Sequence, residues 1–166
     1  MSFYLHTGFR KFFSFDAGRM FAKAGGRDEA ASSFLMFDGF YACLLVGLQL
    51  EKLQLNTTKL EKQYFIDRYP EVYDQSRDYI AGLLVEAELR RLDTANYGAS
   101  EFEREIAKLL NPDEQTRLSQ AGVDAVNAYA AGGFEYLRIA LNPQPTSAQN
   151  FLVRFHELWN NGLEGS

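Results

Sequence analysis

The chain has 166 residues, 46% hydrophobic and 23% charged, with a formal net charge of −5 and an isoelectric point near 5.1. These values fit one globular domain around one core and argue against a general nucleic-acid coat protein. A single cysteine, Cys43, excludes an internal disulfide framework, and the longest apolar run, residues 42–48, is far short of the roughly 20 residues that a membrane span needs.

Charge is unevenly placed. Residues 1–27 hold Arg10, Lys11, Arg19, Lys23 and Arg27 against one acid, Asp16, a net +4 that leaves −9 for the rest. Phe3, Tyr4, Phe9, Phe12, Phe13, Phe15 and Phe21 fall in the same stretch. Gly8, Gly18, Gly25 and Gly26 punctuate it, so residues 1–26 read as a basic, aromatic-rich N-terminal arm or loop with one short helix near residues 16–23. It has no continuous apolar run and no small-residue cleavage site, so no secretory leader is expected. Asp28 is the expected N-cap of a helix from about residue 28 to 53 that is apolar nearly all round, the signature of a central buried helix. Gly39 and Gly47 within it predict close approach of a neighbour.

Thr57 or Thr58 is expected to cap a short helix running to Ile66, ahead of Pro70. Residues 74–92 follow helical spacing through Ile80, Leu84 and Ala87. Ser100 and Glu103 form a capping-box pattern, and Asn111-Pro112 predicts the start of another short helix. A further helix is expected from about Val123, interrupted or kinked at Gly132-Gly133. After the break at residues 142–145, Thr146 or Ser147 caps a last helix with the stripe Phe151, Leu152, Phe155, Leu158 and Trp159, ended by Asn161-Gly162. No alternating strand pattern or hairpin dipeptide occurs. The chain therefore reads as a single all-α domain, residues 1–166, of about six helices around the central apolar one.

Chemical signals are sparse. Two histidines, His6 and His156, and one cysteine give no metal-ligand cluster, and no cofactor motif is present. Cys43 lies in an apolar neighbourhood that makes a thiol inert. The carboxylate pairs Asp67/Glu71, Asp74/Asp78 and Glu101/Glu105 each lie near an arginine and read as solvated faces. Glu86 and Glu88 are the carboxylates best placed for partial burial, with an ion pair to Arg90 or Arg91 the simpler expectation. Gly25-Gly26-Arg27 reads as a hinge before the core helix rather than a phosphate cradle.

The remaining candidates are Arg10, Lys11, Phe12, Arg19, Lys23 and Arg27, as contacts to a partner protein, a second copy or nucleic acid. The competing reading tucks Phe9, Phe12, Phe13 and Phe21 into the core. Three segments also resemble a known group: residues 37–48 (FDGFYACLLVGL), residues 69–73 with 80–84 and 87–90, and residues 127–134 (NAYAAGGF). They are similar to small helical accessory proteins of bacterial DNA-modification (phosphorothioation-type) and phage-defence gene clusters. The resemblance implies a non-catalytic subunit that works in a complex on DNA and assigns no functional residue, while the single cysteine suits a reducing, cytoplasmic compartment.

Overall fold

The computed structural model describes residues 1–14, 34–92 and 98–163. Among them six α-helices follow in chain order: α1 (Phe9–Phe12), α2 (Met36–Gln49), α3 (Arg77–Arg91), α4 (Ala99–Ala107), α5 (Gln120–Ala140) and α6 (Ala148–Asn160). No β-strand occurs among the described residues, only three isolated bridges, so the class is all-α as expected. No helix among them is long and apolar enough to cross a membrane.

The centre of the fold is the pair α2–α5. A methyl group added at Gly47 would stand 1.9 Å from the Tyr129 carbonyl oxygen, and one at Gly133 would stand 1.8 Å from the Cys43 carbonyl oxygen. Glycine is therefore required on both helices where they cross, because no Cβ fits between these backbones. Gly132 does the same for residues 50–54, its missing Cβ lying 2.1 Å from the Lys52 carbonyl oxygen. The expected break at Gly132-Gly133 is thus absent: α5 runs through both glycines unbroken, and their small size serves packing rather than a kink.

Boundaries differ from expectation where local polar groups decide them. Residues 28–33 lie outside the described residues, but Leu35 is extended (φ −80°, ψ 153°) and α2 starts at Met36. Asp38 fixes that start by accepting from the Leu35 N–H at 2.6 Å, and its other oxygen accepts from the Tyr73 hydroxyl. At the other end Glu51 adopts φ 53°, turning the chain back so that Lys52 N–H reaches the Gly47 carbonyl at 2.9 Å. The helix expected from Thr57 to Ile66 shrinks to one 3-10 turn, Thr57–Lys59. Residues 60–66 instead pair with residues 3–6 through isolated bridges at each end, with Phe3 N–H donating to Ile66 O at 2.9 Å and Glu61 N–H to Leu5 O at 2.8 Å.

The helix at Asn111-Pro112 is also absent. The Asn111 side chain accepts from Asp113 N–H at 3.2 Å in a turn, and Leu110 bridges Leu118. Glu101, not Glu103, closes the α4 N-terminus by accepting from Gly98 N–H at 3.1 Å. Gly122 sits in the first turn of α5, where Ser119 caps by accepting from the Gly122 N–H at 3.2 Å. Ser147 caps α6 and Gly162 (φ 85°) stops it, both as read from the sequence. The expected stripe on α6 divides: Phe151 is buried, Phe155 and Leu158 pack against the core, and Leu152 and Trp159 stand out in solvent.

At the N-terminus the competing reading holds for Phe9, Phe12 and Phe13. Over residues 1–14 there is no free arm. Phe3, Leu5, Phe9, Phe12 and Phe13 are core residues, and Phe12 is only 6% exposed. Phe12 meets Phe134 edge-on at 5.6 Å, Phe13 meets Phe151 at 5.0 Å, and Phe3 stacks on Tyr69 at 5.3 Å. Each buried phenyl contributes roughly 1.5–3 kcal/mol through area removed from water, more than solvating an arm would return. Buried Asn127 completes the attachment, its Oδ1 accepting from Tyr4 N–H at 2.9 Å and its amide donating to Ser2 O at 3.1 Å. Residues 15–26, with Phe21 and the expected short helix, lie outside the described residues.

Two glycines give opposite expected outcomes in thermal or urea unfolding. Gly133→Ala drives a methyl into the Cys43 carbonyl and costs at least about 3 kcal/mol, enough to unfold much of the chain. Gly82→Ala, in the middle of α3 with nothing within 4 Å of the new methyl, raises stability by about 0.5–1 kcal/mol.

Candidate functional site

Of the six residues singled out in the sequence, Arg19, Lys23 and Arg27 lie outside the described residues. Phe12 is interior and offers no docking surface. Arg10 and Lys11 are exposed on α1. Arg10 pairs with Glu61 at 2.8 Å, a contact with the arginine half in solvent. The fold brings further cations to this side. Lys59 is tied to the N-terminal segment through Thr7 N–H donating to its carbonyl at 2.8 Å. Arg138 on α5 and Lys59 both act electrostatically on His6. Arg10, Lys11, Lys59 and Arg138 thus lie in or near residues 6–11 together with the carboxylates of Glu61 and Glu135, so the cations remain in excess on an acidic chain.

Beneath that face lies a buried polar cluster. The His6 ring, 6% exposed, accepts from Gly8 N–H at Nδ1 (3.0 Å), which leaves its proton on Nε2, 3.3 Å from the Glu135 carboxylate. The Gln54 amide donates to both Glu135 oxygens at 2.9 Å. Burial pushes the His6 pKa below 6.5, against the hydrogen bond and charge of Glu135, and the charges of Arg138 and Lys59 push it down further. Both ring nitrogens are committed, so neither is free to take or give a substrate proton. The cluster ties the N-terminal segment and residues near 54 to α5.

The second buried polar cluster has the same character. Glu88 accepts from the Tyr129 hydroxyl at 2.6 Å and from Arg91 at 2.7 and 3.1 Å. Burial pushes its carboxyl up, but the hydrogen bonds from Arg91 and Tyr129 outweigh burial and leave the pKa lowered. A general acid needs the opposite shift. The partner is Arg91, one of the two arginines expected from the sequence, while Arg90 turns to the Leu48 carbonyl at 3.0 Å and to Glu51 at 3.6 Å. Glu86 is exposed. Cys43 is fully enclosed and burial pushes its thiol far up, so it carries no thiolate. Among the described residues no group of three or more His, Cys, Asp and Glu is arranged to hold a metal ion. His156 stands in solvent with Asn160 at 2.9 Å.

The Glu88–Arg91 pair, three residues apart, is legible locally, but the His6–Glu135 contact spans 129 residues and Tyr129–Glu88 spans 41. The usable signal was weaker, a lone histidine flanked by apolar residues (Leu5, Phe9), which marks a buried ring but names no partner. No protein-family model, curated protein or solved structure matches the chain.

His6 gives a pH signature whose sign follows from its shift. Because the folded pKa lies below 6.5, the unfolded chain binds the proton first as the solution is acidified. The stability present above 6.5 is therefore lost as pH falls through that value, and the loss stops below the folded pKa. Urea midpoints at about pH 7.5 and 5.5 are expected to fall further for the wild type than for His6→Gln.

Proposed function

We propose that this chain is a non-catalytic, cytoplasmic interaction subunit of a larger complex, docking an acidic protein surface on the face formed by Arg10, Lys11, Lys59 and Arg138. The observation that carries the reading is the gathering of these four cations around residues 6–11 in a chain of net charge −5. Electrostatic complementarity of this kind steers association and fixes the partner's orientation. The two buried polar clusters support a non-catalytic role, since their groups are spent on internal bonds. On the resemblance of its sequence segments, the proposed complex is one that modifies DNA or guards against phage.

Direct nucleic-acid binding draws on the same cations but loses half of its chemistry. Stacking on bases needs open aromatic faces, and Phe9, Phe12 and Phe13 are interior.

The test is affinity purification from the native host, nuclease-treated, comparing the wild type with the triple variant Arg10→Glu, Lys11→Glu, Lys59→Glu. All three side chains are exposed and the one ion pair lost is a surface pair worth at most about 1 kcal/mol, so the fold persists. A stoichiometric protein partner is expected with the wild type and lost with the variant. A partner indifferent to the charge reversal, or nucleic acid recovered with no protein and lost as salt rises, contradicts the proposal.

A further inference from the structure

His6 sits where three parts of the chain meet. Its carbonyl accepts from Phe9 N–H at 2.8 Å at the start of α1. The next residue, Thr7, donates to the Lys59 carbonyl at 2.8 Å, and the His6 ring lies 4.6 Å from the Phe134 ring on α5. The ring is gripped closely. A methyl added at Gly8 would stand 3.2 Å from the Phe134 ring and 3.4 Å from His6 Nδ1. Into that space Gly8 N–H donates to Nδ1 at 3.0 Å, using the one lone pair that the neutral ring offers on this side.

A second proton enters the ring only at Nδ1, since Nε2 already carries one toward Glu135. Once protonated, Nδ1 is a donor facing the donor of Gly8. Turning the ring over does not restore the bond, because Cδ2 then takes the place of Nδ1 and accepts nothing. The charges that face the ring pull in both directions. From α5, Glu135 favours the proton and Arg138 opposes it, and from the 57–59 turn Lys59 opposes it. Gln54, which is neutral, holds Glu135 in place, and Arg10 on α1 is turned to Glu61 at 2.8 Å. Burial together with the two cations outweighs Glu135, so the folded chain takes up the proton below the ordinary 6.5.

We propose that His6 is a proton-operated joint: when Nδ1 takes a proton its bond from Gly8 breaks, and the turn at residues 6–9, which carries α1 with Arg10 and Lys11, opens. The opening is confined to the turn. Phe9, Phe12 and Phe13 stay in the core, because burying each phenyl outweighs one net hydrogen bond, and Asn127 keeps residues 2–4 attached. Gly8 is half-buried, so its freed N–H reaches water. The cations of α1 are thus held in register with Lys59 and Arg138 at neutral pH and released from it in acid. The joint belongs to the chain by itself and stands whether or not these cations dock a partner.

Nuclear magnetic resonance of the isotope-labelled full chain tests the joint. At about pH 7.5 the His6 ring nitrogens are expected to show a proton on Nε2 alone. As the pH falls toward about 5, Nδ1 is expected to take a proton and the Gly8 amide to lose exchange protection about fivefold at the same midpoint, with the amides of residues 7–12 shifting alongside it. The Tyr4 amide, held by Asn127, and the amides of α5 are expected to keep their protection. His6→Gln is expected to remove the step at Gly8. A Gly8 amide indifferent to the titration of the ring overturns the proposal, as does a ring that stays neutral until the whole chain unfolds. A loss of protection spread equally over α2 and α5 overturns it by making the event global. An unchanged step in His6→Gln overturns it by placing the titrating group elsewhere.

Discussion

The contact on which the rest depends is the crossing of α2 and α5 at Gly47 and Gly133, where the carbonyl oxygens of Tyr129 and Cys43 occupy the space a Cβ would take. Backbones this close leave no room for adjustable side chains, so the angle and register of the pair are set by main-chain shape. α5 then becomes the post to which other parts are fastened. Asn127 holds residues 2–4, Tyr129 holds α3 through Glu88, and Glu135 holds His6 and Gln54. The aromatic side chains of residues 3–13 fill the volume beside this pair and complete one core.

This arrangement has a functional consequence. The interior polar groups act as ties between elements, each hydrogen-bonded to a group distant in sequence, and a buried polar tie is costly to leave half-made. Tyr69 alone keeps a buried hydroxyl with no hydrogen-bond partner among the described residues, enclosed by Phe3 and Phe37. What the molecule can offer a partner is therefore on its surface. There Arg10, Lys11, Lys59 and Arg138 stand exposed, on a scaffold whose two central helices are fixed by their glycine crossing.

Much of this scaffold is legible in the sequence because it rests on local rules. Helical periodicity marks α2, α3, α5 and α6, Ser147 and Gly162 mark the two ends of α6, and Gly39 and Gly47 announce close packing. What fails is non-local. Residues 60–66 carry a helix-compatible pattern but pair with residues 3–6, and no spacing within either segment reveals the other. Gly132-Gly133 reads as a breaker until a neighbouring backbone gives it a packing role. Phe12 illustrates the limit for the site: core and interface use the same aromatic side chains, so sequence placed it beside Arg10 and Lys11 as one unit, whereas the helical turn of α1 sends the ring inward and the cations outward. Lys59 and Arg138 reach the same side as Arg10 only through the fold.

The central proposal is that this glycine-crossed scaffold presents the cations around residues 6–11 to a protein partner. Hydrogen exchange measured by mass spectrometry on the chain alone and within its purified native complex tests it most directly. The account predicts added protection in residues 6–11 with 59–61, with the already slow core of α2 and α5 unchanged. Protection confined to other surfaces, or a complex that loosens the α2–α5 core, would contradict it.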